Sequence, residues 1–195
     1  MTARQKFLKA VYPVFMWWAK LKITNTKDFA NVHISPIVPF HSLKDTLIDG
    51  TSFEMGSLKG KKVLLVNTAS DCGYTSQYDD LQKLYQASKN KLVILGFPSN
   101  DFKDQEKGSD IEIAAFCRKN FGVSFPLMHK SSVIKGPSQN EIFKWLTDPA
   151  RNGWNQKQPT WNFCKYLVDE NGKLVQFFGS SIKPGSEEIL RGINE

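Results

Sequence analysis

No CxxC pair and no HExxH motif occurs in this chain. His33, His41 and His129 do not fall at ligand spacing with Cys72, Cys117 and Cys164. A metal site is therefore not expected, and nothing in the sequence asks for a cofactor. Three cysteines are too few, and an odd count, for a disulfide-stapled secreted scaffold. At 195 residues the chain can bury a core without such staples. Repeats and low-complexity windows are missing, which excludes solenoids and composition-driven disorder. Acidic residues are missing from positions 1–22, which carry Arg4, Lys6, Lys9, Lys20 and Lys22. Removing those five charges from the net +7 leaves +2 for residues 23–195, so the basic character sits in the tail and a nucleic-acid face is not expected.

Long apolar runs are also missing. The uncharged stretch AVYPVFMWWA at 10–19 is half of the roughly 20 residues a spanning helix needs. No small-x-small pattern follows it, so leader cleavage is not expected. Trp17 and Trp18 between lysines suit an amphipathic segment lying in a membrane interface. The same aromatics would also suit packing onto the domain or onto a second subunit, and both readings stay open. Residues 23–39, with Asn25, Asn31, Pro36 and Pro39, read as a linker before a single domain at 40–195. The expected location is the cytoplasm, with peripheral contact at the inner face of a membrane through residues 1–22. The run from Leu146 to Trp161 is short for an added assembly loop, so a monomer is expected.

From residue 40 the pattern is that of an α/β domain. Asp49-Gly50 between Leu43–Ile48 and Thr51–Met55 signals an N-terminal hairpin. KKVLLVN at 61–67 and LVILGF at 92–97 have the apolar centres of strands buried on both faces. A helix over 75–88 lies between them, with Tyr78, Leu81, Leu84 and Tyr85 on one face, which makes a βαβ unit. Ser109 with Glu112, and Ser138 with Glu141, read as capping boxes opening two further helices, the first ended by Gly122. Trp161–Asp169 and Lys173–Phe178 alternate around Asn171-Gly172 as a second hairpin, and a helix over 187–193 closes the chain. The order describes a central mixed sheet flanked by helices.

Cys72 falls between a buried strand and the start of a helix, where ligands gather in such sheets. A helix N-terminus favours a thiolate there. The plain alternative is an inert buried thiol. Four blocks decide between them: NTASDCGYTSQYDDLQKLY, GFPSNDFKDQEKGSD, FCRKNFGVSFP and TWNFCKYLVDENGK. In residues, order and spacing they resemble the glutathione peroxidase family over about residues 40–190. The resemblance implies a thioredoxin-like fold and the reduction of hydroperoxides. It places Cys72 where the family has its peroxidatic cysteine or selenocysteine, and Gln105, Trp161 and Asn162 at the other tetrad positions. Amide and indole N–H groups donate without competing as bases. Cys117 resembles the resolving cysteine of the non-selenium members that use thioredoxin. That route implies thioredoxin or a similar dithiol protein, rather than glutathione alone, as reductant. Relatives often have cysteine at Ser99, and Thr or Ser at Cys164. On a regular strand Cys164 would face the same way as Asn162, as a backup thiol or as packing. A redox sensor passing its oxidation to a partner would use the same residues. A tethered binding module without catalysis would not need Cys72, Gln105, Trp161 and Asn162 intact.

Overall fold

A computed structural model describes residues 34–88 and 91–195, the segment 27–29 and single positions 7 and 11. The expectations for the tail, 1–22, otherwise lie outside the described residues. Among the described residues no helix is long and apolar enough to cross a membrane.

The strands are β1 (Lys27–Phe29), β2 (Lys44–Thr46), β3 (Ser52–Glu54), β4 (Lys62–Thr68), β5 (Leu92–Pro98), β6 (Lys165–Val168) and β7 (Leu174–Phe178). The helices are α1 (Gln77–Ala87), α2 (Asp110–Phe121), α3 (Glu141–Thr147), α4 (Pro149–Asn152) and α5 (Glu187–Asn194). Five strands form one mixed sheet in the order β1-β7-β6-β4-β5, and β2-β3 is the separate hairpin. Only β4 and β5 run parallel, Lys62 opposite Leu92 through Thr68 opposite Pro98; β6, β7 and β1 continue antiparallel.

Every residue of β4 is buried, so its side chains alternate between two cores. Leu64 and Val66 face a core built with Tyr78, Leu81 and Leu84 of α1, Ile113 and Cys117 of α2, and Ile189 and Ile193 of α5. Val63 and Leu65 face a second core with Ile142, Phe143, Trp145 and Leu146 of α3. Each such side chain contributes about 1.5–3 kcal/mol on full burial. The expected capping box of α2 is present in both directions, Ser109 Oγ accepting from Glu112 N–H and Glu112 accepting from Ser109 N–H. Gly122 ends the helix at φ 60°, which costs glycine nothing.

Two expectations change. The cap of α3 is Asn140, not Ser138: Asn140 Oδ1 accepts from the N–H groups of Ile142 and Phe143, and asparagine caps as well as serine. Lys27–Phe29, within the segment read as a linker, pairs along the β7 edge, where an otherwise open edge offers unpaired backbone groups. Further along that segment the N–H groups of Ile37 and Val38 both donate to Arg151 O at 3.0 Å. Trp145 Nε1 donates to Val38 O at 2.7 Å.

Lys165 is completely buried on β6. Its ammonium donates to Gln77 Oε1, Ser180 O and Ile182 O. Burial pulls its pKa down to about 7, and the three oxygens supply one acceptor for each ammonium hydrogen. Gln77 Nε2 also donates to Ser180 O at 2.7 Å, so the start of α1, strand β6 and the segment before α5 are tied at one point. Lys165→Met leaves these acceptors short of a donor. The expected loss is about 2 kcal/mol, read as a lower urea midpoint with an unchanged slope; an unchanged midpoint would contradict this reading.

Candidate active site

Strand β4 delivers the chain at Thr68 into an irregular turn, and Cys72 lies within that turn. Thr75 Oγ1 accepts from Cys72 N–H at 3.0 Å and donates to Ala69 O at 2.9 Å, while Thr75 N–H donates to Cys72 O at 3.1 Å. The turn is thus closed on itself around the sulfur. Tyr74 N–H donates to Cys72 Sγ at 3.4 Å. Helix α1 begins only at Gln77, so the sulfur meets turn amides rather than the helix end expected from the sequence. The thiol is 1% exposed. Burial pushes its pKa up; the Tyr74 N–H and then the side chains of Trp161 and Asn162 oppose this as hydrogen-bond donors, and the Asp71 carboxylate adds to the rise.

Trp161 and Asn162 reach this sulfur from one further segment, and Gln105 joins them from another through Asn162. Gln105 is fixed at both ends: its C=O accepts from Asp71 N–H at 3.0 Å, and its Oε1 accepts from Asn162 Nδ2 at 2.9 Å. Its loop carries Lys103 and Asp104 at φ 52°. Asn100 spans that bend, donating from Nδ2 to Asp104 and accepting from Glu106 N–H. Trp161 packs against Phe102 at 5.8 Å between ring centroids, with Lys103 Nζ 5.7 Å from its ring. Cys72, Gln105, Trp161 and Asn162 therefore form one cluster.

Residues 161–164 are not strand. Phe163 has φ 68°, and the segment is bound to the end of β4 by Asn67. Asn67 Nδ2 donates to Trp161 O at 3.0 Å, Phe163 N–H to Asn67 O at 2.6 Å, and Asn67 N–H to Cys164 O at 3.3 Å. The alternation argument for Cys164 fails for that reason. Cys164 packs in the core with α3, its sulfur 3.3 Å from Ser180 Oγ. Cys117 packs in the other core, the one that holds Cys72. Burial pushes the Cys117 thiol up to about 12, against a hydrogen bond with the Tyr78 side chain and with a further push from Glu106. All three cysteines are free thiols. Among the described residues no cluster could hold a metal ion.

Asn67, Thr75 and Glu106 are absent from the sequence-derived site. A polar residue ending the run VLLVN was a readable signal for Asn67. Nothing in the sequence separates Glu106 from a solvated loop acid. Chemically, the cluster offers a buried sulfur met by neutral donors, an arrangement that steadies negative charge developing on the sulfur or on an oxygen bound beside it.

A family model described as glutathione peroxidase matches residues 40–147. A glutathione peroxidase-like peroxiredoxin of Chlamydomonas reinhardtii is 45% identical over 158 residues, 80% of this chain and 96% of that protein. A glutathione peroxidase-like peroxiredoxin of Saccharomyces cerevisiae is 46% identical over 148 residues, 75% of this chain and 91% of that protein. The solved structure of apo Trgpx superposes with a TM-score of 0.62 at 32% identity, covering 82% of this chain and 97% of that one. A DsbF homologue from Corynebacterium diphtheriae, 16% identical with a TM-score of 0.61 over 87% of this chain and 92% of its own, shares the thioredoxin-like fold. The chain belongs to the glutathione peroxidase family, in which it is a cysteine-type thiol peroxidase.

Proposed function

We propose that Cys72 is the peroxidatic residue, with Gln105, Trp161 and Asn162 as its supporting donors, and that Cys117 resolves the oxidised sulfur for reduction by thioredoxin or a similar dithiol protein. The observation that carries this is the meeting of the Tyr74 N–H, Trp161 and Asn162 at one buried cysteine sulfur. In the first step the Cys72 thiolate attacks one oxygen of a hydroperoxide. The S–O bond forms, the O–O bond breaks, and the leaving oxygen departs as water or alcohol after gaining a proton. The donors that lower the thiol pKa against burial also stand where the leaving oxygen gathers charge. In the second step the Cys117 sulfur attacks the sulfenic acid, giving a disulfide and water. Cys117 is buried within α2, so this step requires local opening of the helix. The intramolecular route favours a dithiol reductant over glutathione alone.

Cys72→Ser is expected to abolish peroxide consumption while the circular dichroism spectrum is kept, because an alcohol supplies almost no anion. Turnover near the wild-type rate would refute the assignment. Gln105→Ala or Asn162→Ala should slow the oxidation step by about 2–4 kcal/mol of transition-state stabilisation and leave reduction by thioredoxin less affected. Stopped-flow fluorescence separates the two phases, and equal oxidation rates would remove these residues from the site. One equivalent of peroxide should give a Cys72–Cys117 disulfide in the wild type and a trappable Cys72 sulfenic acid in Cys117→Ser. Peptide mapping that joined Cys72 to Cys164 would transfer the resolving role.

A further inference from the structure

Beside this site lies a carboxyl group that neither step above uses. Glu106 follows Gln105 directly and is 1% exposed. Its Oε2 accepts from Ser70 Oγ at 3.1 Å, and its N–H donates to Asn100 Oδ1 at 2.9 Å. Ser70 belongs to the Cys72 turn, so the carboxyl is anchored to the attacked sulfur's side of the site and not to α2. The charged and titratable groups acting on it come from every neighbouring element: Asp71 from the same turn, Lys130 from the segment after α2, Tyr78 from α1 and Cys117 from α2. Lys130 is the sole cation among them, and its Nζ is already donating to Gly108 O at 2.6 Å. The buried Tyr78 hydroxyl lies against the Cys117 thiol.

Among the described residues no salt bridge holds this carboxylate, and an amide or an apolar side chain would fill the place at lower cost. Burial pushes the Glu106 carboxyl up to about 7, against the Ser70 hydrogen bonds. A charge on Glu106 in turn raises the Cys117 thiol. The two negative forms disfavour each other.

We infer that Glu106 is the general base of the resolving step: its carboxylate takes the proton that the Cys117 thiol loses as it closes onto Cys72. This rests on the resolving role of Cys117 proposed above. The balance is complete without a further reactant. The Cys117 proton passes to Glu106, the freed sulfur pair attacks the sulfenic sulfur of Cys72, the S–S bond forms and the S–O bond breaks. The departing hydroxide takes the proton from Glu106 and leaves as water, returning the carboxylate. Glu106 is tied to Ser70, in the turn that carries Cys72.

The test is a single turnover of the full chain with one equivalent of hydrogen peroxide, followed by stopped flow from about pH 5.5 to about pH 8.5. In the wild type the second phase should quicken as pH rises through about 7, as Glu106 becomes a carboxylate. Glu106→Gln should lose that inflection and slow the phase about a hundredfold above it. A packing role would shift the amplitude or stability but keep the profile, so an inflection retained in Glu106→Gln overturns the inference. A wild type that forms no Cys72–Cys117 disulfide defeats the resolving assignment and this inference together. A second measurement needs no Glu106 variant. Carbon-13 NMR of the reduced protein should show the Glu106 carboxyl titrating near neutrality and moving in Cys117→Ser; a midpoint in the ordinary acidic range of carboxylates overturns the inference.

Discussion

Asn67 holds the active site together. It ends β4, the central strand, and is fully buried. Its side-chain amide, N–H and C=O each bind the segment Trp161–Cys164. Without this clamp the strand that leads to Cys72 and the turn that carries two of its donors would be joined through the β4–β6 ladder and the side-chain contacts of the site alone. A strand ladder fixes direction and register, but it does not set where an irregular turn beyond its end places a side chain. A buried asparagine can do so, because each unmet polar group there would carry its full desolvation cost. The contorted backbone at Phe163, φ 68°, is kept by the same bonds.

The site is drier than a reactive thiol would seem to want. Burial works against the anionic form of both Cys72 and Cys117. The same low dielectric makes each fixed donor count for more than it would in water. The structure answers the first effect with the second at Cys72, where a backbone N–H and two side chains act on the sulfur. At Cys117 only Tyr78 helps. The two thiols are therefore unequal by construction.

The regular parts of this architecture were legible because they rest on local rules. The apolar centres of β4 and β5, the face of α1, and the Ser109–Glu112 box of α2 all depend on residues within a few positions of one another. The tetrad was legible only through family resemblance, since Cys72, Gln105 and Trp161 meet across three distant segments. What stayed hidden depended on tertiary detail. The helix-end activation of Cys72 failed because a turn of several residues separates it from α1. The facing of Cys164 was misjudged because alternation holds only on regular strand, and Asn67 bends the chain there. The α3 cap moved to Asn140 because two capping residues stood within reach of one helix start, and spacing alone did not rank them.

The placing of Cys164 in the core with α3, apart from the core that holds Cys72 and Cys117, has a consequence for error control. Disulfide exchange needs three sulfurs nearly in line, and sulfurs packed in different cores do not meet without local opening. The packed core thus lets the chain carry a third thiol as filling, set apart from exchange by where it sits.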